Sequence, residues 1–480
     1  MKPTNMLVIM SDEHNPRVLG ASGHPIIRTP NLDALAARGT RFSDAACNSP
    51  ICVPSRASFA TGRYVHQIRF WDNAMPYDGS VPSWGHRLQQ AGHAVTSIGK
   101  LHFRSAEDDN GFDEEILPMH VIGGVGMLPH LLRKEVRPSK ATLKLAAEAG
   151  PGQSSYQDYD EKITDAAVEW IKARAGQRGG KPWTLFVSLV CPHFPLISRP
   201  EFYNLYPEDQ VPLPMLYGAD ERPSHPFIDA MRIVQCYDEG FDSETKIRRA
   251  IAAYFGMVSF LDHNIGRLMR ALEEAGLMDS TRVLYTSDHG DNLGCRGLWG
   301  KSNMYQDSVA VPLIMAGPDI PAGHVCHEPV TLVDAFPTIL HAVGAPQHPD
   351  DADLPGSSLF DVMRGLTHPR DVLSEYHAVG SVTGAFMLRR GSLKFIHYAG
   401  MEPQLFDLRT DPWETRNLAA DPDWAGPRRD CEAALRAICD PDVMDALAFA
   451  DQAARIEAVG GREAIFAQAM HGYTPAPTAA

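Results

Sequence analysis

Four short apolar runs give way to polar residues at their C-terminal ends. Met6–Met10 leads into Asp12 and Glu13, and the run 94–98 leads into Gly99, Lys100 and His102. The run 185–190 leads into His193, and the run 283–286 leads into Asp288 and His289. Helical stretches separate them. Short apolar runs alternating with helices predict a mostly parallel sheet covered on both faces. Ligands bind such sheets beyond the carboxyl ends of the strands, where these polar residues fall. The pattern by itself gives an α/β fold with a polar site, and no more.

The helices are also legible. Thr29 is placed to cap a helix with Pro30 at its first position, Leu32 and Leu35 facing inward and Gly39 as its stop. A longer helix is expected from about Glu244 to Gly276. Ile247, Ile251, Tyr254, Val258, Leu261, Ile265, Leu268 and Leu272 form its apolar stripe at three- and four-residue steps, which reads as core packing. Beyond Gly365 the period changes. Val372–His377, Ala385–Arg389, Leu393–Tyr398 and Gln404–Leu408 read as a small antiparallel sheet. The last fifty or so residues are Ala-rich and helical, ending in a loose Thr-Pro-Ala-Pro-Thr tail. The expected division is a catalytic α/β domain over 1–365, an antiparallel-sheet subdomain over 366–428 and a helical tail over 429–480.

The 480 residues include 44% hydrophobic and 21% charged positions, an ordinary globular balance that allows a large core. The net charge of −15, with no compensating block of Lys and Arg, argues against a nucleic-acid partner. It does not exclude an anionic substrate, because a pocket can be cationic inside an acidic protein. The eight cysteines, at 47, 52, 191, 236, 295, 326, 431 and 439, form no C-x-x-C pair, so neither a disulfide framework nor a zinc ribbon is expected. The first apolar run is too short for a signal segment, and no stretch approaches transmembrane length. A cytoplasmic protein without a membrane partner is the expectation.

The most specific pattern is Cys52-Val53-Pro54-Ser55-Arg56 continuing to Thr61-Gly62-Arg63. A lone C-x-P-x-R is weak and would read as a buried cysteine ahead of a helix. The extended match, however, resembles the signature read by the formylglycine-generating machinery of sulfatases. Thr29-Pro30-Asn31-Leu32-Asp33 resembles the helix after the first strand in that family. Met257-Val258-Ser259 to Leu261-Asp262, with Thr286-Ser287-Asp288-His289-Gly290-Asp291, resembles its second metal-binding element. Leu405-Phe406-Asp407-Leu408 with Asp411-Pro412, Glu414 and Asn417-Leu418 is similar to its C-terminal signature. Asp72-Asn73-Ala74, Gly99-Lys100-Leu101-His102-Phe103 and Gly297-Leu298-Trp299-Gly300-Lys301 look like the choline-sulfatase-like and phosphonate monoester hydrolase branch. The chain is thus identified as a member of the type I, formylglycine-dependent sulfatases of the alkaline phosphatase superfamily.

That resemblance implies a large mixed, mostly parallel sheet flanked by helices, with a small C-terminal antiparallel subdomain. It also implies a nucleophile made from Cys52 by a formylglycine-generating enzyme, which is a partner of the nascent chain. One divalent cation is expected among Asp12, Glu13, Cys52, Asp288 and His289, calcium first and manganese second; the carboxylates supply hard oxygen ligands. Formylglycine hydrates to a diol, one oxygen attacks sulfur or phosphorus, and loss of the second proton releases the product. A serine cannot perform that last elimination. Arg56 is expected to hold the diol, and Lys100 and Lys301 to bind the sulfate oxygens. His102 is expected to be the base for product release, and His193 to protonate the leaving oxygen. Asn73 is expected to touch the transferred group or the substrate. Trp71 and Tyr64-Val65-His66 read as packing.

Hydrolysis of a sulfate monoester is the leading expectation, with a phosphonate monoester or phosphodiester hydrolase second. A silent scaffold is disfavoured by the joint presence of Cys52, Arg56, Lys100, His102, His193, Asp288 and Lys301. A choline ester would need an aromatic or carboxylate cage. Trp170 lies inside a helical pattern, and Glu375-Tyr376-His377-Ala378-Val379 brings no second carboxylate. The tail is expected to pack against another subunit of a homo-oligomer or to cover a neighbouring active-site mouth.

Overall fold

A computed structural model describes residues 2–135, 138–176, 179–367, 370–467 and 473–477. The main sheet contains β1 (Asn5–Asp12), β2 (Gly39–Phe42), β3 (Val95–Lys100), β4 (Glu114–Met119), β5 (Thr184–Pro192), β6 (Thr281–Ser287), β7 (Leu313–Ala316) and β8 (His324–Cys326). Its order is β8-β2-β7-β6-β1-β5-β3-β4, and β7 alone runs against the rest. This is the large mixed, mostly parallel sheet. β1 sits at its centre, pairing Met6–Met10 with 184–188 of β5 and with 282–286 of β6, and those five residues are fully buried. Register shifts occur between Met10 and Asp12 and between Ile98 and Lys100. An irregularity at a strand end re-aims the side chain beyond it, here an aspartate and a lysine.

Helix α1 (Pro30–Ala37) forms as expected and buries Leu32 and Leu35, but its start differs from the sequence reading. Thr29 makes no capping bond; its hydroxyl faces Asp33 instead. Asp262 caps the helix from a distance, accepting the Asn31 and Leu32 amides at 3.2 and 2.8 Å. A charged acceptor on the first N–H groups is favoured there. The Asp262 carboxylate, part of the segment that resembles a metal-binding element, is therefore engaged in holding α1. Gly39 does not stop α1 but opens β2, where a Cβ would lie 2.0 Å from the Met315 carbonyl oxygen.

Helix α3 follows α2 (Cys52–Thr61) and spans Ser155–Lys172; α4 spans Glu244–Glu274. All eight stripe residues of α4 are buried, and from Ala250 to Asp262 every position is, because α4 packs against both α3 and β5. Trp170, on α3, packs edge-on against Trp183.

A second, antiparallel sheet consists of β9 (Val372–Tyr376), β10 (Ala385–Arg390), β11 (Leu393–Tyr398) and β12 (Gln404–Asp407) in that order. Leu373, Phe386, Leu388, Phe395 and Leu405 form one core with Cys431, Ala434 and Leu435 of α5 (Ala425–Ile438). On α6 (Pro441–Ala458), Ala448 packs on Val65 and Trp71. On α7 (Gly461–Ala467), Ile465 packs on Ala74, Leu128 and Leu131. The described part of the tail thus packs onto its own chain. Buried polar anchors supply what its small apolar surface lacks. Gln452 donates to Asp72 and to the His377 carbonyl at 2.7 Å each, and Asp451 accepts from the Trp71 indole at 2.7 Å. Among the described residues, no helix is long and apolar enough to cross a membrane.

Candidate active site

Cys52 is the first residue of α2, after an extended Ile51, and all ten residues of the helix are buried. Pro54 sits in the first turn, where a missing N–H breaks no intrahelical bond. The Ser55 hydroxyl donates to the Asp288 carbonyl, tying α2 to the end of β6. Gly62 ends the helix at φ 68°, the left-handed conformation that suits glycine. Asn73 accepts the Val53 amide at 3.1 Å, so it braces the start of α2 beside Cys52.

Around Cys52 the strand ends deliver a compact donor set. Its Sγ lies 3.2 Å from His289 Nε2 and 3.7 Å from Asp12 Oδ1. His289 Nε2 lies 3.7 Å from Asp12 Oδ1 and 3.6 Å from Asp288 Oδ1. These four residues are buried, and their ligand atoms lie within 4.8 Å of one another. His289 Nδ1 faces the Gly290 carbonyl at 3.0 Å, which can only accept. Nδ1 therefore carries the hydrogen and Nε2 presents a lone pair to the cluster, the tautomer a metal ligand needs. Two carboxylates, an imidazole lone pair and the residue 52 side chain fit a divalent cation.

Cations of the protein hold this set from behind. Arg56 donates Nε to Asp288 at 2.8 Å and Nη2 to Asp12 at 3.1 Å, while Nη1 reaches the Lys100 carbonyl and Ser188. Its guanidinium joins the two carboxylates. Lys100 Nζ lies 2.5 Å from Asp12 Oδ2. Burial alone would lift the Asp12 carboxyl, but Lys100, His193, Arg56 and His289 hold it well below its ordinary value. Burial, then the Asp12 charge, push the Cys52 thiol up to about 12. A thiol so held is a poor nucleophile.

Glu13 takes a different direction from its neighbour. At φ 69° it turns its carboxylate to Lys301 Nζ at 3.0 Å and towards His193 Nε2 at 3.4 Å. It belongs to a second group with Asp12 and His193 rather than to the set around Cys52. Burial lifts its carboxyl to about 8 despite Lys301. Burial opposes the Lys301 charge as well, but Cys52, Glu13, Asp12 and Asp288 hold that ammonium above its ordinary value. His193 Nδ1 faces the Phe194 carbonyl at 2.6 Å, which leaves Nε2 as an acceptor. Burial and then Lys301 keep this ring neutral, well below its ordinary value.

His102 lies at φ 59°, pinned by its amide to the Met119 carbonyl at 2.8 Å. Its Nε2 is 2.8 Å from the hydroxyl of Thr474, and Nδ1 is buried without a partner. Burial, then Lys100 and Arg56, hold it well below its ordinary value.

Sequence reasoning missed Thr474, read as part of a loose tail, although it is only 7% exposed. It also missed Tyr156, whose hydroxyl donates to the Thr474 carbonyl, and Asp291, which accepts the Leu293 and Gly300 amides and so shapes the loop bearing Lys301. Asp291 stood within a quoted motif; the other two carried no local signal. Trp71 and Val65 pack as expected, and His66 pairs with Glu375 at 2.8 Å.

The Sulfatase family profile matches residues 4–345, and that of the N-sulphoglucosamine sulphohydrolase C-terminal region matches residues 294–438. A choline-sulfatase of Rhizobium meliloti (strain 1021) is 34% identical over 87% of this chain and 83% of its own length. Arylsulfatase K of Danio rerio is 31% identical over 91% of this chain and 84% of its own. The solved phosphonate monoester hydrolase of Agrobacterium radiobacter shares the fold, with a TM-score of 0.72 and 24% identity over 90% of this chain and 95% of that one. With a profile spanning most of its length and relatives matched over nearly all of it, the chain belongs to the sulfatase family.

Proposed function

We propose that this chain hydrolyses sulfate monoesters with residue 52, as formylglycine, bound to a divalent cation. The observation that carries this reading is the buried cluster of Asp12, Cys52, Asp288 and His289 at the start of α2, backed by Arg56 and Lys100. Asp12, Asp288 and His289 would hold the cation together with residue 52. Calcium is the first candidate, and the imidazole donor keeps manganese as the second. Hydrated formylglycine would supply a metal-activated hydroxyl for attack and a second one whose deprotonation frees the product.

The surrounding residues have separable roles. Arg56 holds the metal carboxylates together, and Asn73 fixes the helix start beneath the nucleophile. Lys100 and Lys301 bind the sulfate oxygens and stabilise charge developing on them. His102 accepts a proton at Nδ1. His193 protonates the leaving oxygen from Nε2; an anionic substrate favours the doubly protonated ring this needs, against the burial and the Lys301 charge that keep it neutral. Glu13 contacts Lys301 and His193 rather than completing the cation's shell. Trp170 packs against Trp183 and Glu375 is engaged by His66 and His377, so neither of these two serves as a cage for a quaternary ammonium. Eight buried, unpaired cysteines support a reducing compartment, hence the cytoplasm.

The second reading, phosphonate monoester hydrolysis by the same residues, draws support from the shared fold with such an enzyme. Co-production with a formylglycine-generating enzyme, mass spectrometry of the peptide bearing residue 52, and a panel of sulfate and phosphonate esters test both. Formylglycine at 52 with higher kcat/KM for sulfates supports the first reading. Preference for phosphonates transfers the assignment to the second. Modified, calcium- or manganese-loaded protein that turns over neither class sinks both.

A further inference from the structure

We propose that Thr474, from the far end of the same chain, is a positioning residue of this site: its hydroxyl accepts the His102 Nε2–H and leaves Nδ1 as a free acceptor. The inference deepens the role given to His102 above and rests on it only for its kinetic consequence.

Both partners are held independently. The His102 backbone is fixed by Leu101 and His102 amides that both donate to the Met119 carbonyl, at 3.1 and 2.8 Å. Thr474 is held through its carbonyl by the Tyr156 hydroxyl. The preceding ring, Tyr473, packs edge-on against Tyr156 and Phe194 with centroids at 5.3 and 6.4 Å. Pro475 follows, which restricts the Thr474 backbone to extended conformations. The 2.8 Å approach of the hydroxyl to Nε2 therefore joins two anchored groups.

A hydroxyl can donate or accept, so geometry alone allows either tautomer. The surroundings choose between them. Nδ1 is buried with no protein partner, and the titratable groups acting on the ring are Lys100, Arg56, Asp12 and His193. Burial, Lys100 and Arg56 disfavour a second proton, so the ring is neutral and carries one hydrogen. An N–H at Nδ1 would be a buried donor with no acceptor, whereas a bare lone pair there leaves no donor unsatisfied. The hydrogen belongs on Nε2, donated to Thr474. That arrangement makes Nδ1 the basic atom. In product release, Nδ1 takes the proton of the second hydroxyl on residue 52; the O–H pair becomes the C=O bond, and the C–O bond to sulfate breaks with its pair leaving on sulfate.

Imidazole ¹⁵N spectra of the full-length protein with Cys52 as thiol read the tautomer without any turnover, with the His102 signals identified by their loss in His102→Gln. The wild type and Thr474→Ser are expected to carry the hydrogen on Nε2, and Thr474→Val is expected to shift towards the Nδ1–H form. A wild-type hydrogen on Nδ1, or an unchanged pattern in Thr474→Val, overturns the proposal. In the formylglycine form, Thr474→Val is expected to lower steady-state turnover by about 10–100-fold while keeping the first-turnover burst of alcohol, with Thr474→Ser restoring turnover. Equal loss of burst rate and turnover overturns the positioning role. If His102 is not the base, His102→Ala shows no burst, and the spectra still decide the tautomer.

Discussion

Replacing Arg56 by methionine removes a side chain that bonds to both carboxylates of the proposed metal site. Its bonds of 2.8 Å to Asp288 and 3.1 Å to Asp12 are buried, with the arginine side chain 2% exposed and both aspartates fully enclosed. Truncating one member of such a group costs about 3–5 kcal/mol, because a charge is left buried without its partner. Asp12 keeps Lys100 at 2.5 Å, so Asp288 bears most of the loss and the lower end applies. Unfolding entropy of ~2.1 cal/mol/K per residue gives about 1 kcal/mol per kelvin for 480 residues. The metal-free variant is thus expected to melt about 3 K below the wild type. A bound divalent cation supplies positive charge to the same two carboxylates. Calcium at about 100 times its Kd adds ~2.7 kcal/mol to either protein, and the variant reaches that saturation at lower calcium. Scanning calorimetry in chelator and across a calcium series, at one scan rate, measures both effects. A metal-free Arg56→Met protein melting within 1 K of wild type refutes the charge-balancing argument. A gap that widens with subsaturating calcium would show that Arg56 orders the ligands rather than balancing their charge.

His193→Ala is expected to lose about 10²–10⁴-fold in the first step for basic alkoxide leaving groups and little for activated phenols. The same leaving-group dependence in both proteins assigns the acid elsewhere, with Lys301 next. Burial opposes it, but His66 and His377 hold the Glu375 carboxyl down at about 2, and Glu375 in turn raises His66. The Glu375 contribution to stability is present above pH ~4.5 and is lost as pH falls towards ~2. The His66 contribution is present below pH ~6.5 and is lost as pH rises through its higher folded value. Glu375→Gln should flatten both flanks of the urea midpoint against pH, and unchanged flanks would refute this pairing.

The sequence alone determined the elements whose signal is local. Four apolar runs with polar ends became the central strands, and the stripe of α4 became core, because burial imposes periodicity on contiguous residues. The cysteine motif placed Cys52 and Arg56 four residues apart on one helix, a spacing that puts them on one face. Tertiary structure decided what each polar side chain meets. Asp12 and Glu13 are neighbours in sequence, yet a left-handed turn at Glu13 sends one carboxylate to the Cys52 cluster and the other to Lys301. Asp262 carries a helix-interior sequence signal but caps another helix. The tail looked unable to hold itself because its anchors are single buried hydrogen bonds, which leave no trace in composition. Thr474 meets His102 from 372 positions away, and no local pattern encodes a contact that exists only once both ends of the chain are folded.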